Sequence, residues 1–170
     1  WGAENLTGPT LYQKELADFL FENGADKIIG GHPHDPEPME LRRVTDEDGK
    51  ERTCFLVYSL GNLISGQNRA YTDLTAAVNI ELTKDPYTGE TEITAAEYTP
   101  MIMIDLYDYG IADAPWRCRL WDLEEAIAGY EAGDDRGVIT PGMYTRLLTS
   151  LDDCGRIFGP LEFPAEETAQ

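Results

Sequence analysis

Basic side chains are scarce: 13 Lys and Arg stand against 32 Asp and Glu in 170 residues, a formal net charge of −19 with histidine neutral. A surface field of that sign repels phosphate backbones and anionic headgroups, which excludes nucleic acid as a partner. Long apolar runs are missing as well. No stretch approaches the roughly 20 residues needed to cross a bilayer, and residues 1–5 have no basic stretch leading into an apolar one. The start at Trp1 rather than Met points to an upstream segment that this sequence does not carry. Cysteines are few, Cys54, Cys118 and Cys154, and none has CxxC spacing. Neither a disulfide framework nor a zinc knuckle is expected, and buried free thiols are. What is present is a globular composition, 42% hydrophobic with 10% aromatic, enough at this length for one core without staples. The isoelectric point near 4.2 and mean hydropathy of −0.38 add an unusually acidic surface.

Leu11, Tyr12, Glu15, Leu16, Phe19 and Leu20 recur at helical spacing, with Pro9 ahead and Gly24 behind. They predict an amphipathic helix ending at Gly24. Residues 26–30 read as a short buried strand running into Gly30-Gly31, and a helix followed by such a strand predicts a layered α/β arrangement. Residues 39–44 and 53–60 are strand-like, and the polar segment 45–50 between them has hairpin chemistry. Residues 74–84 and 92–98 repeat that pattern around 85–89, with 101–106 as a further strand. Beyond Asp113-Ala114-Pro115, the residues Leu120, Leu123, Ala126, Ile127 and Tyr130 return to helical spacing, and residues 143–153 predict another short helix. Residues 133–137 separate the two, and residues 160–170 form a polar tail expected to be loosely held. The expected division is an α/β part over residues 1–106 and a helical extension over 107–170.

Both histidines of the chain fall in Gly30-Gly31-His32-Pro33-His34-Asp35, two residues apart in a glycine turn after a strand. Imidazoles so placed can each turn a ring nitrogen toward a shared cavity, and imidazole suits zinc, manganese and iron. Surface or structural histidines remain the competing reading. Val57-Tyr58-Ser59-Leu60-Gly61-Asn62 is a strand ending in small and polar residues, where α/β proteins commonly carry sites; Asn62 could equally cap the segment that follows. Trp1, Glu4, Asp35, Glu37 and Glu40 are further candidates, although in so acidic a chain the carboxylates also read as a solvated face.

Taken in order, Trp1-Gly2-Ala3-Glu4, a helix, Phe21-Glu22-Asn23-Gly24-Ala25-Asp26, Gly31-His32-Pro33-His34, Pro36-Glu37-Pro38, and the run from Tyr58-Ser59-Leu60-Gly61-Asn62 through Leu63, Ile64, Ser65 and Gly66 to Gln67 form a specific set. The set resembles the bacterial capsule synthesis and poly-gamma-glutamate biosynthesis family of the CapA type, over residues 1–106. The resemblance implies an α/β fold, the C-terminal half of a calcineurin-like metallophosphatase α/β/β/α sandwich, with a C-terminal helical appendage. It also implies that His32 and His34 are ligands of a divalent metal centre, with manganese, zinc or iron as the ion. Trp1, Glu4, Ser59, Asn62 and Gln67 would then be supporting or substrate-contacting groups. The family's histidine before Trp-Gly-x-Glu and its upstream aspartate and asparagine-histidine motifs are not carried here. Asn5 stands where the family often has an aromatic residue, and Leu63 where it usually has Phe.

Two imidazoles cannot close a four-ligand site. The expected partner is therefore the N-terminal half of the same protein, or a second chain, and alone the chain should bind metal weakly. The resemblance implies a metal-dependent phosphoester hydrolase in exopolymer biosynthesis, in which the ion activates water and polarises the scissile bond. A non-catalytic cell-surface scaffold for an anionic exopolymer is the alternative, and a histidine motif kept only as a relic is the third. The implied location is extracellular or cell-surface, tethered to the membrane in the full-length protein.

Overall fold

A computed structural model describes residues 1–6, 8–113 and 116–164. Its elements are α1 (Leu11–Glu22), β1 (Lys27–Ile29), β2 (Pro36–Thr45), β3 (Glu51–Leu60), β4 (Leu74–Lys84), β5 (Thr91–Asp105), β6 (Cys118–Asp122), α2 (Leu123–Glu131) and α3 (Pro141–Phe158), with a 3-10 turn over Leu106–Tyr109. The architecture is mixed α/β, as expected. One sheet runs β1-β3-β2 and the other β4-β5-β6. The predicted tail falls partly outside the described residues, as do Ala114 and Pro115 of the predicted boundary.

β3 is the hub. It pairs in parallel with β1, Ile28 opposite Leu56, and antiparallel with β2, Met39 opposite Val57. Both of its faces are covered, so its alternation sorts two cores. Cys54, Leu56 and Tyr58 pack beneath α1 with Ala17 and Phe21. Phe55 and Val57 point the other way, into a larger core shared with β4, β5, Trp121 of β6, α2 and α3.

Helix α1 begins at a capping box: Thr10 Oγ1 accepts from Gln13 N, and Gln13 Oε1 accepts from Thr10 N. Gln13 Nε2 then donates to Glu37 Oε2 of β2 at 2.7 Å. That bond draws Gln13, Ala17 and Phe21 inward and leaves Leu11, Tyr12 and Phe19 at 71%, 63% and 57% exposure. The expected apolar face is thus turned largely outward.

Three further expectations are corrected. β1 is not a buried strand: Ile28 packs into the core beneath α1, while Lys27 and Ile29, on the opposite face, are exposed. The expected strands 92–98 and 101–106 are one strand, β5, running through Pro100. Proline is tolerated there because β6 pairs only with Met101 through Asp105, so Pro100 lies beyond its reach. Finally, the helical spacing that starts at Leu120 begins in a strand: β6 adds to β5, and α2 starts at Leu123 with Asp122 as its cap. All three thiols are free, Cys54 and Cys154 buried and Cys118 half-buried.

Candidate functional site

The chain leaves β1 through Gly30, whose N–H donates to Val57 O at 2.8 Å. A Cβ at Gly30 would lie 2.0 Å from Tyr58 O and 2.3 Å from Trp1 Nε1, so only glycine fits. The space serves Trp1: its indole N–H donates to Tyr58 O at 2.6 Å and its ring stacks on Tyr58 at 5.9 Å between centroids. The backbone nitrogen of Trp1 donates to Gly31 O at 2.9 Å, and that of Asn5 to Pro33 O at 3.1 Å. Residues 1–5 are thereby laid across the histidine turn.

Within the turn His32 has φ +94° and His34 φ +68°. Left-handed backbone costs a non-glycine residue roughly 1–2 kcal/mol, and such conformations persist where the surroundings hold them. Here Trp1 and Asn5 supply that hold. The two rings end 6.2 Å apart between centroids, tilted by 46°.

His34 is further constrained, its Nδ1 lying 2.9 Å from Asn62 Oδ1. The Asn62 amide nitrogen donates to Gln67 Oε1 and to Thr72 O, both at 3.1 Å. A backbone carbonyl can only accept, which settles the amide orientation and makes Oδ1 the atom facing His34. In the neutral ring His34 Nδ1 therefore carries the proton and Nε2 the lone pair, the arrangement in which an outer hydrogen bond prepares an imidazole as a ligand. Asn62 acts here as an orienting group and does not cap the following segment.

Two acidic residues depart from the solvated-face reading. Asp35 is 9% exposed and Glu37 fully buried. Burial pushes both carboxyls up, opposed at Asp35 by Arg69 and His34 and at Glu37 by the Gln13 bond. One oxygen of each, Asp35 Oδ1 and Glu37 Oε1, has no hydrogen-bond partner among the described residues. Glu40 is half-buried and paired with Arg42.

The structure thus brings together Trp1, His32, His34, Asn62 and Gln67. Ser59 lies buried beside them with its hydroxyl accepting from Gly61 N at 3.1 Å. Glu4 is exposed and makes no hydrogen bond among the described residues. Gln13, Thr72 and Arg69 join the site without having been singled out. Only Gln13 left a trace in the sequence, as the fourth residue of the Thr-x-x-Gln cap signature.

Two imidazoles on one tetrahedral ion stand about 5.3 Å apart between centroids, from bonds of roughly 2.1 Å plus the ring radii. The rings stand 6.2 Å apart, and would have to close by about 1 Å to share such an ion. Among the described residues, however, no group of three or more His, Cys, Asp or Glu is placed to hold a metal ion. The turn offers at most two of the ligands that such an ion needs.

Comparison with known proteins agrees with the motif reading. Residues 1–67 match the family described as bacterial capsule synthesis protein PGA_cap. The PGA biosynthesis protein CapA of Bacillus subtilis (strain 168) is 36% identical over 94 residues, which is 55% of this chain and 22% of that protein. The match therefore spans about a fifth of that relative's length. No solved structure matches. The likeness to the CapA-type capsule-synthesis family is established for the N-terminal region, where α1, β1 to β3, the histidine turn and Gln67 all lie.

Proposed function

We propose that this chain is part of a CapA-type protein of bacterial capsule or poly-gamma-glutamate biosynthesis, and that the full-length protein is a metal-dependent phosphoester hydrolase. In this reading His32 and His34 hold a divalent ion, manganese, zinc or iron. The observation that carries it is the grip of Asn62 on His34, which in the neutral ring places the lone pair on Nε2, beside a second imidazole. A divalent ion bound there would supply Lewis acidity toward a phosphoryl oxygen. The chain's own residues set the geometry: Asn62 orients the ring, Gln67 and Thr72 orient Asn62, and Trp1 with Asn5 pins the strained turn.

The remaining ligands come from the N-terminal half of the same protein or from a second chain, completing a calcineurin-like layered sandwich. What supports this is the outer edge of β1, unpaired among the described residues, together with exposed Ile29, Leu63 and Ile64 near the turn. In such a protein the site faces the outside of the cell, on a molecule tethered to the membrane by a segment elsewhere; among the described residues no helix is long and apolar enough to cross one.

The absence of a third ligand among the described residues favours a second reading, a non-catalytic surface scaffold for an anionic exopolymer. With a net charge of −19 the chain would need divalent cations to bridge carboxylates, so polymer binding would be abolished by chelator.

The test is metal content and phosphodiesterase activity of the full-length protein beside His32→Ala and His34→Ala. The hydrolase reading expects both variants to lose metal and rate together. Unchanged occupancy and rate in both overturns it, and chelator-sensitive polymer binding without turnover selects the scaffold.

A further inference from the structure

Asp35 ends the histidine turn and Glu37 is the second residue of β2, and both are buried. A spacing of two carries both side chains to one side of an extended chain. They are close enough that the charge of Asp35 raises the Glu37 carboxyl. Among the described residues neither acid forms an ion pair, although Arg42, Arg43, Arg52, Arg117 and Arg146 each sit against a carboxylate. Arg69 and His34 act on Asp35, and the amino group of Trp1 on Glu37, only through the field.

Glu37 is held in place from α1. Gln13 Oε1 accepts from Thr10 N, so Nε2 is the atom that donates to Glu37 Oε2. That bond uses one carboxylate oxygen; Glu37 Oε1 and Asp35 Oδ1 are buried without a partner among the described residues. A third buried acceptor in the same condition, Asn5 Oδ1, belongs to the strap whose backbone donates to Pro33 O, two residues before Asp35. Buried anions are paired or coordinate a cation. The atoms in want of a partner here are oxygens only, and two of the three side chains are acids.

We propose that Asp35 and Glu37 hold a calcium-class divalent cation through Asp35 Oδ1 and Glu37 Oε1, with Asn5 Oδ1 and water as further oxygen ligands. A divalent ion balances two carboxylates. Calcium accepts irregular sets of six to eight oxygens, whereas magnesium holds to an octahedron and keeps its own water. Imidazole is a poor ligand for so hard an ion, so the site adjoins the histidine pair and is separate from it. In a chain of net charge −19 the cation meets an attractive field on approach. Bound there, it ties the strap of residues 1–5 to the end of the turn and to β2, and so stiffens the histidine turn without occupying it. The assignment does not depend on any ion at His32 and His34.

The experiment is titration of the 15N-labelled chain with calcium chloride in about 0.15 M potassium chloride, which screens the acidic surface. It is read at the backbone amides of Asp35, Glu37 and Ser59, the last opposite Glu37 in the register of β2 and β3, and as a rise in thermal midpoint. Saturable shifts at these amides, with half-saturation at about 1 mM or below, support the assignment. Glu37→Gln keeps an acceptor for Gln13 and Asp35→Asn keeps the side-chain shape, so both should fold. Each should weaken calcium binding about tenfold or more, since affinity follows the number of charged ligands. His32→Ala with His34→Ala should bind calcium as the unmodified chain does, which makes failure here and failure of the hydrolase reading separate results. The assignment is overturned if these amides show no saturable shift up to about 10 mM calcium, which leaves water to satisfy the two oxygens. It is also overturned if a folded Glu37→Gln or Asp35→Asn binds with unchanged affinity, or if the double histidine variant loses calcium.

Discussion

Asn62 Oδ1 lies 2.9 Å from His34 Nδ1, and the carbonyl of Thr72, 3.1 Å from the same amide's nitrogen, prevents Asn62 from turning over. A residue 28 positions downstream thus decides which nitrogen of His34 is bare. Imidazole 15N shifts above the titration range should report His34 as the Nδ1–H tautomer in the unmodified chain. Removing the acceptor with Asn62→Ala forfeits a hydrogen bond of about 1 kcal/mol, about fivefold in the tautomer ratio. A mixture of tautomers is expected, with His32 unaffected. An unchanged His34 spectrum in the variant would show that Asn62 does not set the tautomer.

Glu37 should make stability depend on pH in a particular direction. Burial raises its carboxyl above the ordinary 4.5, Gln13 pulls it back, and Asp35 adds to the rise. The folded state therefore binds more protons than the unfolded one between the two values. The stabilisation is fully present below about pH 4.5 and is lost as pH rises through the higher folded value. Glu37→Gln keeps an acceptor for Gln13 and replaces the orphaned Oε1 with a donor near Asp35. We expect about 1 kcal/mol more stability at pH 7, about 3 °C in thermal midpoint, and a smaller difference between the two proteins near pH 4.5. A variant that melts lower at pH 7 contradicts this account.

Thiol chemistry should separate the three cysteines. Burial drives the Cys154 thiol up to about 12, and burial raises Cys54 as well, with Arg52 opposing. Burial disfavours the thiolate of both and closes both to a reagent. Cys118, half-buried on β6, is the accessible one. Labelling with a disulfide reagent at pH 8 should therefore count one fast thiol in the native chain and three after denaturation. Fast reaction of two or more in the native state would argue against the packing described for β3 or α3.

The outward face of α1 should be dispensable for folding and required for association. Leu11 and Phe19 are more than half exposed and belong to neither core cluster. Leu11→Lys with Phe19→Lys should change stability by no more than about 0.5 kcal/mol. Sedimentation at high concentration should show less self-association than the unmodified chain, because an apolar patch has been replaced by charge. A loss of several degrees in thermal midpoint would mean instead that this face is packed.

Where a local rule was sufficient, the sequence alone decided the outcome. The Thr10–Gln13 cap, the polar turns at 45–50 and 85–89, and Gly24 place α1 and the two hairpins at nearly their observed positions, because caps and turns are satisfied by residues a few positions away. The ordered motifs likewise pointed to the family matched by residues 1–67. Tertiary structure decided the rest. Which face of α1 is buried follows from one bond between Gln13 and Glu37, 24 residues apart. Cys118 through Asp122 form a strand because β5 offers them an edge, overriding their helical spacing. Asp35 and Glu37 are buried rather than solvated, and Asn62 orients His34 rather than capping its neighbours, because strands distant in sequence meet there. Periodicity records the preferences of a segment for water or oil, whereas burial and hydrogen-bond partners belong to the surface it finally meets, and that surface is built by residues elsewhere in the chain.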